Sequence, residues 1–347
     1  MGRPQHSAEA LDALQASVEE QLHRQGRPRA RVVSIEPLGG GACQELFALT
    51  VDEGGLRRDW VLRVDAATSL PGSIRRRAEF AVVQIAAAAG VPTPRGHALL
   101  HDLLRPGADG WLMDRLPGQA LGGKVVGARE LAGARALLPD QLAAALVFVH
   151  RLDPAAEPGL VSALGEAPDD PEGNALIELR RVLDGLPEAR PALELALRWA
   201  ASRRPPPSPV RLVHGDFRVG NFLVGPAGLV AVLDWEFARL GAPAEDIAWL
   251  CVRDWRFGKI DKAAGGICSR EAFRAAYVAA GGTDPGAAAC HWWEVLGNLR
   301  WAAGSHAQAL RFFEEEEPDI ELLAIGRRAV EMEFEALRLI RQGVPAG

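Results

Sequence analysis

Cysteine is scarce: Cys43, Cys251, Cys268 and Cys290 are the only four in 347 residues. None forms a C-x-x-C pair and all lie far apart, so reduced thiols are expected rather than a disulfide frame or a zinc site. No apolar run approaches the roughly 20 residues that cross a bilayer. The polar N-terminus has no signal-like apolar stretch, so no membrane partner and a cytoplasmic location are expected. Positive charge is not in surplus either. The formal net charge is −6, whereas binding a phosphate backbone wants a basic face, so nucleic acid is not expected as a partner. There is no internal repeat. No G-x-G-x-x-G opens a helix after the first strand-like run, which sets aside a dinucleotide-dependent oxidoreductase. What remains is ordinary for a globular chain, with 48% hydrophobic and 24% charged residues, and long enough for two lobes.

The pattern changes along the chain. Residues 7–25 place Leu11, Leu14, Val18 and Leu22 at helical steps. Then come short β-rich runs at 31–38, 45–51 and 59–64, separated by Gly39-Gly40-Gly41 and Gly54-Gly55, which predict an antiparallel meander. Residues 73–89 read as a helix with Ser73 as N-cap and Gly90 as its stop. Strand-like runs follow near 96–101 and 110–116. Beyond Pro117-Gly118 the texture is mainly helical, with helices expected at 140–152, 174–186, 188–201, 244–252, 270–280, 287–303 and 320–341. The Pro-rich run 205–209 is a stiff connector. The expectation is a nucleotide-binding front lobe of residues 1–117, with 1–29 as a leading helix, and a catalytic, acceptor-binding helical lobe of 118–347. Residues 113–118 form the hinge.

The chemistry concentrates at Leu212–Val224 and Val230–Glu236. Two apolar runs each end near a carboxylate, Asp216 and Asp234, and Asn221 stands five positions after the first. Phosphoryl transfer needs a carboxylate to orient the attacking hydroxyl, plus an amide and a second carboxylate for Mg²⁺, a hard cation that prefers oxygen ligands. The Asp216–Asn221 spacing equals that of the protein-kinase catalytic loop. Taken one at a time, such Asp residues are usually turn or cap residues; the joint pattern H-G-D-x-x-x-x-N, strand, turn, strand, D-W-E is specific.

These motifs resemble the aminoglycoside phosphotransferase and choline kinase-like family, and the resemblance extends over roughly residues 30–310. It implies a bilobal, α+β, protein-kinase-like fold with a small antiparallel β lobe carrying one helix and a larger, mainly helical lobe. It also implies Asp216 as catalytic base, Asn221 and Asp234 as metal ligands, and Asp246, with His214, as support for the catalytic loop. The alternative for Asp246 is a simple N-cap of the helix it opens. In the front lobe the family's phosphate loop falls on 39–45, with Gly40 and Gly41, and its cation and partner carboxylate fall on Arg63 and Glu79. Arg63 replaces the usual Lys, and a fork of donors is not equivalent to a point charge. Cys43 stands where a Ser is common. Adenine is expected against Leu112–Leu116, read by backbone groups around Met113 and Arg115. ATP with Mg²⁺ is the expected donor pair, and GTP stays open.

Several features compete with this reading. Gly118–Val125 approximates a P-loop but puts Val125 where a hydroxyl would hold Mg²⁺. His97 and His101 share a strand-like segment without converging on a metal. Arg75-Arg76-Arg77 and Glu314–Glu317 read as solvated charge runs. For the acceptor, Trp249, Trp255, Trp292, Trp293 and Trp301 suggest either a helical core or a cage for a quaternary amine such as choline. Arg256, Trp255 and Arg300 are the acceptor-binding candidates. The basic residues among 253–262 count against a cationic aminoglycoside and favour an anionic or acyl-coenzyme A acceptor. The segments 249–258 and 292–301 also resemble kinase-like proteins allied to acyl-CoA dehydrogenases. A nucleotide-binding pseudokinase with a regulatory role is the alternative from another class. Oligomeric state is not legible.

Overall fold

Alternating burial along the front segment builds one five-stranded antiparallel sheet. Its strands are β1 (Ala30–Pro37), β2 (Glu45–Glu53), β3 (Arg57–Val64), β4 (Gly96–Leu100) and β5 (Gly110–Asp114), in the order β1-β2-β3-β5-β4. The computed structural model describes residues 7–39, 45–66, 70–313 and 320–344. The expected phosphate loop with Gly40, Gly41 and Cys43, and the run Glu314–Glu317, lie outside the described residues.

Period two sends neighbouring side chains of this sheet into different cores. Leu112 joins Leu49, Trp60 and Leu62 under the helix Ala8–Arg24, which contributes Leu14, Val18 and Leu22. Ser7 caps that helix, accepting from the Ala10 N–H at 3.2 Å. Trp111, one residue earlier, turns to the opposite face. There it meets Val82, Val83 and Ala86 of the helix Arg76–Ala88 and the large core of the helical part. The sheet is thereby bound to the rest of the molecule through buried apolar surface. Ser73 does not cap this second helix: it begins at Arg76, and the Ser73 hydroxyl donates to the Leu70 carbonyl at 2.7 Å.

Two small ribbons follow the Pro-rich connector. β6 (Arg211–Val213) pairs with β9 (Arg239–Gly241), and β7 (Phe222–Gly225) pairs with β8 (Gly228–Val232), both antiparallel. Their connections, 214–221 and 233–238, lie side by side, tied by the Leu233 N–H donating to the Asn221 carbonyl at 2.8 Å. The helix expected at 140–152 starts earlier and spans Ala132–His150. With the turn before it, the stretch Arg129–His150 is long and apolar enough to cross a membrane, contrary to the expectation that no such stretch exists. Its Leu138, Leu142 and Leu146 are buried in the main core.

A second core gathers Trp249, Trp255, Trp292 and Trp293 with the helices Pro171–Asp184, Pro191–Ser202, Ala287–Phe313 and Ala329–Gln342. The single helix expected over 320–341 is two, Ile320–Gly326 and Ala329–Gln342. Gly326 crosses the long helix so closely that a Cβ there would lie 2.5 Å from that of Ala309.

Arg256 lies in this region fully buried, and the expectation that it binds acceptor is corrected. Its guanidinium donates to the Cys251 carbonyl at 2.8 Å and ion-pairs with Glu294 at 3.1 Å and Glu335 at 2.9 Å. Burial alone would raise the Glu335 carboxyl, but hydrogen bonds and charge from Arg338 and Arg256 outweigh it and hold it at about 2. Removing one partner of a buried ion pair typically costs about 3–5 kcal/mol. Glu335→Gln is therefore expected to lower the urea midpoint at pH 7. It should also remove stability that the native protein loses on acidification from about 4.5 towards 2. Equal midpoints for variant and native protein at pH 7 would contradict this.

Candidate active site

The loop after β6 turns sharply at Gly215, whose φ is +76°. A Cβ there would lie 2.1 Å from the Phe237 carbonyl oxygen, so no side chain fits. Asp246 holds the turn from below. Its Oδ2 accepts the His214 N–H at 2.7 Å and its Oδ1 accepts the Gly215 N–H at 2.9 Å. His150 adds a third contact through Nε2 at 3.2 Å, and its Nδ1 meets the Tyr277 hydroxyl at 2.9 Å. Burial would raise the Asp246 carboxyl, but these donors and the neighbouring imidazoles keep it below the usual range. It does not cap the helix Pro243–Trp249, whose N-cap is Ala242.

His214 is buried, and its partners fix its tautomer. Nε2 faces the Leu233 carbonyl at 3.0 Å and must carry hydrogen, while Nδ1 accepts the Asp216 N–H at 3.3 Å. Burial lowers its pKa and keeps the ring neutral, against the pull of Asp246, Asp216 and Asp234.

Asp216 is 7% exposed and collects donors on both oxygens. Trp249 Nε1 donates to Oδ1 at 2.7 Å and Asn221 Nδ2 to Oδ2 at 2.6 Å. Arg218 Nε bridges both, at 3.0 and 3.1 Å. Pointing its NH₂ at Asp216 turns the Asn221 amide oxygen away from that carboxylate. The Trp249 contact was missed in the sequence, although Asp246 and Trp249, three apart on one helix, share a face.

Asp234 sits at a φ of +65°, a left-handed backbone uncommon outside glycine. It joins a buried charge cluster between the ribbons and the sheet. Arg63 of β3 donates to Asp234 Oδ1 at 2.5 Å and Glu236 Oε2 at 3.1 Å, and ion-pairs with Glu79 at 3.2 Å. Arg76 completes the ring, donating to Glu79 at 2.5 Å and Glu236 at 2.8 Å. Arg76 was expected on a solvated face but is 5% exposed, because the helix turns it inward beside Glu79. Trp111 Nε1 also donates to Glu79, at 3.1 Å. Burial would lower the Arg63 pKa, but Asp234, Glu79 and Glu236 outweigh it and raise it. Burial and the charge of Asp234 push the Glu236 carboxyl up, opposed by Arg63 and Arg76. Asp65, 3.7 Å from the Arg76 guanidinium, is a fourth carboxylate beside the two arginines.

Residues 34–293 match the model of the phosphotransferase enzyme family. The chain belongs to this family. Acyl-CoA dehydrogenase family member 10 of Mus musculus is 29% identical over 198 residues, 56% of this chain but 18% of the relative. Family member 11 of Rattus norvegicus is 24% identical over 71% of the chain and 31% of the relative. The chain thus spans less than a third of these curated relatives. Among solved structures, a Ralstonia eutropha protein described as a candidate aminoglycoside phosphotransferase superposes with a TM-score of 0.73. It has 22% identity, covering 97% of this chain and 98% of that one. A Plasmodium vivax ethanolamine kinase has a TM-score of 0.59 at 12% identity, covering 90% and 84%. At these identities the likeness shows the shared bilobal kinase-like fold.

The family's remaining positions fall unevenly. Met113 is half-buried in β5 and packs against the main core. The Arg115 N–H, expected to read adenine, is instead committed to the Asp59 carbonyl at 3.0 Å. Trp255 and Arg300 lie near Asp216, whereas Arg256 does not. Arg218 stacks over Trp255 and Arg300 over Trp249, each 4.4 Å from the ring centroid. Arg300 also donates to the Gly215 carbonyl at 3.0 Å and Glu245 at 2.9 Å. The P-loop-like run forms a short helix, Gly122–Gly127, against Phe257. His97 pairs with Asp114 and His101 with Asp109, and no metal-holding cluster of His, Cys, Asp and Glu occurs among the described residues.

Because the fold excludes a proton that the unfolded chain binds at His214, stability should fall as pH drops below about 6.5. His291, also lowered by burial, adds to the same slope. His214→Gln should shrink the loss in urea midpoint between about pH 7.5 and 5.5 without abolishing it. An unchanged slope would contradict the buried neutral ring.

Proposed function

We propose that the protein is an ATP- and Mg²⁺-dependent O-phosphotransferase that phosphorylates a hydroxyl on an anionic small molecule. Residues 1–117 would bind nucleotide, and 118–347 would supply the catalytic and acceptor surfaces. The observation that carries this reading is Asp216, held by Asn221 and Trp249 beside two arginines stacked on tryptophan. Asp216 orients the acceptor hydroxyl and takes its proton as the oxygen bonds to the γ-phosphorus. The bond from that phosphorus to the ADP oxygen breaks, and ADP leaves with the electron pair. Asp246 and His214 keep the loop in register. Arg63, braced by Glu79, faces the phosphates.

Asp234 and the amide oxygen of Asn221 suit Mg²⁺, being hard oxygen donors. When bound, Mg²⁺ supplies neutralisation of phosphate charge. Met113 and its backbone neighbours would border adenine.

Arg218 and Arg300 support an anionic acceptor, and coenzyme A thioesters bearing a hydroxyl belong to that class. The names of the curated relatives are in keeping with it. The same arginines cover the faces of Trp255 and Trp249 that a choline cage would need, and they repel a polycationic aminoglycoside.

Asp216→Asn should reduce kcat by about 10²–10⁴-fold, the usual contribution of a positioned general base. Nucleotide affinity should be largely retained. The measurement is phosphate transfer from ATP across a panel of hydroxy acids, hydroxyacyl-coenzyme A compounds, choline and aminoglycosides. Undiminished turnover in the variant would remove Asp216 from the mechanism. ATP binding without turnover on any acceptor by the native protein would favour a pseudokinase.

A further inference from the structure

Three N–H donors crowd Asp216, whose side chain is left 10% exposed. An ionised carboxylate offers about four lone-pair sites. Trp249 takes one, Asn221 another, and the bridging Arg218 Nε covers the remaining two. A hydroxyl can approach only if one donor withdraws. Trp249 and Asn221 are each 4% exposed, and Asn221 is tied a second time to the Asp216 carbonyl at 3.0 Å. Arg218 differs, because its side chain is 24% exposed. Its guanidinium rests on the Trp255 ring, its Nη1 donates to the Val219 carbonyl at a long 3.4 Å, and no hydrogen bond from Nη2 occurs among the described residues. Gly220 gives it room: a Cβ there would lie 2.5 Å from Arg218 Nη1.

We propose that Arg218 is an acceptor-sensing positioning residue, which blocks Asp216 until the anion of the acceptor draws its guanidinium away. This rests on the reading of Asp216 as the base. Binding exchanges partners. The acceptor hydroxyl replaces Arg218 on Asp216, and the acceptor's anionic group replaces Asp216 on Arg218, while the cation–π contact with Trp255 persists as the guanidinium slides. Water carries no anion and cannot make the second half of the exchange, so ATP is spared from hydrolysis. A neutral alcohol fails in the same way. Arg218 thus sets specificity through the availability of the base.

The test is MgATP hydrolysis without acceptor, in native protein and in Arg218→Gln, Arg218→Lys and Arg218→Gln/Asp216→Asn. Circular dichroism and thermal midpoints verify folding. Losing the charge-assisted bridge should raise hydrolysis in Arg218→Gln about tenfold with KM for ATP unchanged, and Arg218→Lys should restore part of the block. Butyrate and butyryl-coenzyme A, which carry an anion but no acceptor hydroxyl, should stimulate hydrolysis by native protein and not by Arg218→Gln. Unchanged or lower hydrolysis in a folded Arg218→Gln overturns the proposal. Failure of both anions to stimulate the native protein overturns sensing. The double variant separates the two readings: if raised hydrolysis survives Asp216→Asn, Asp216 is not the base and the proposed reaction itself fails.

Discussion

The buried ring of Arg63, Arg76, Glu79, Asp234 and Glu236 is the constraint on which the site depends. It joins β3, the helix beside it and the segment after β8 at one point, across elements that sequence separates by more than 150 residues. Arg63, Arg76, Glu79 and Glu236 have lost nearly all their water there, and only close partners with good geometry offset that loss. Removing one member would strand the others. The ring therefore fixes where the sheet stands relative to the catalytic loop, and it places Asp234 beside the cation that would face phosphate. Apolar packing reinforces it, since Trp111 donates to Glu79 and at the same time anchors β5 in the main core.

A second economy lies in the use of tryptophan. Trp292 and Trp293 fill the helical core, as large side chains usually do. Trp249 and Trp255 do this too, but each presents a face to an arginine, and Trp249 also presents its N–H to Asp216. The helix carrying Asp246 and Trp249 consequently supports the loop after β6 from two directions. Asp246 holds its backbone and Trp249 holds its carboxylate. The aromatic surface near Asp216 is thus bound to cations of the chain itself, which changes what a ligand there must bring.

Much was legible in the sequence because it is local. The front strands and the first helix follow from period two and period 3.6, and the spacing of Asp216, Asn221 and Asp234 carried the resemblance to the family before any contact was known. The readings that failed concern partners distant in sequence. Ser73 has cap chemistry, yet the helix starts three residues later, where Arg76 can turn inward. Arg256 sits in a basic run that suggests a ligand site, but its carboxylates come from helices 38 and more residues away. Arg115 lies in the expected hinge with its N–H already spent on the carbonyl of Asp59 in β3.

By itself, then, the sequence determined the family, a strand-rich front with a mainly helical back, and the identity of the groups aligned along the loop after β6. Those properties reside in residue type and short spacing. Only the tertiary structure decided which arginines face the cleft, which are buried as counter-ions, and which tryptophans meet Asp216. The reason is electrostatic: a guanidinium looks the same in sequence whether it pairs with solvent, a carboxylate or an indole face. Its role is set by partners that folding alone brings within hydrogen-bonding distance.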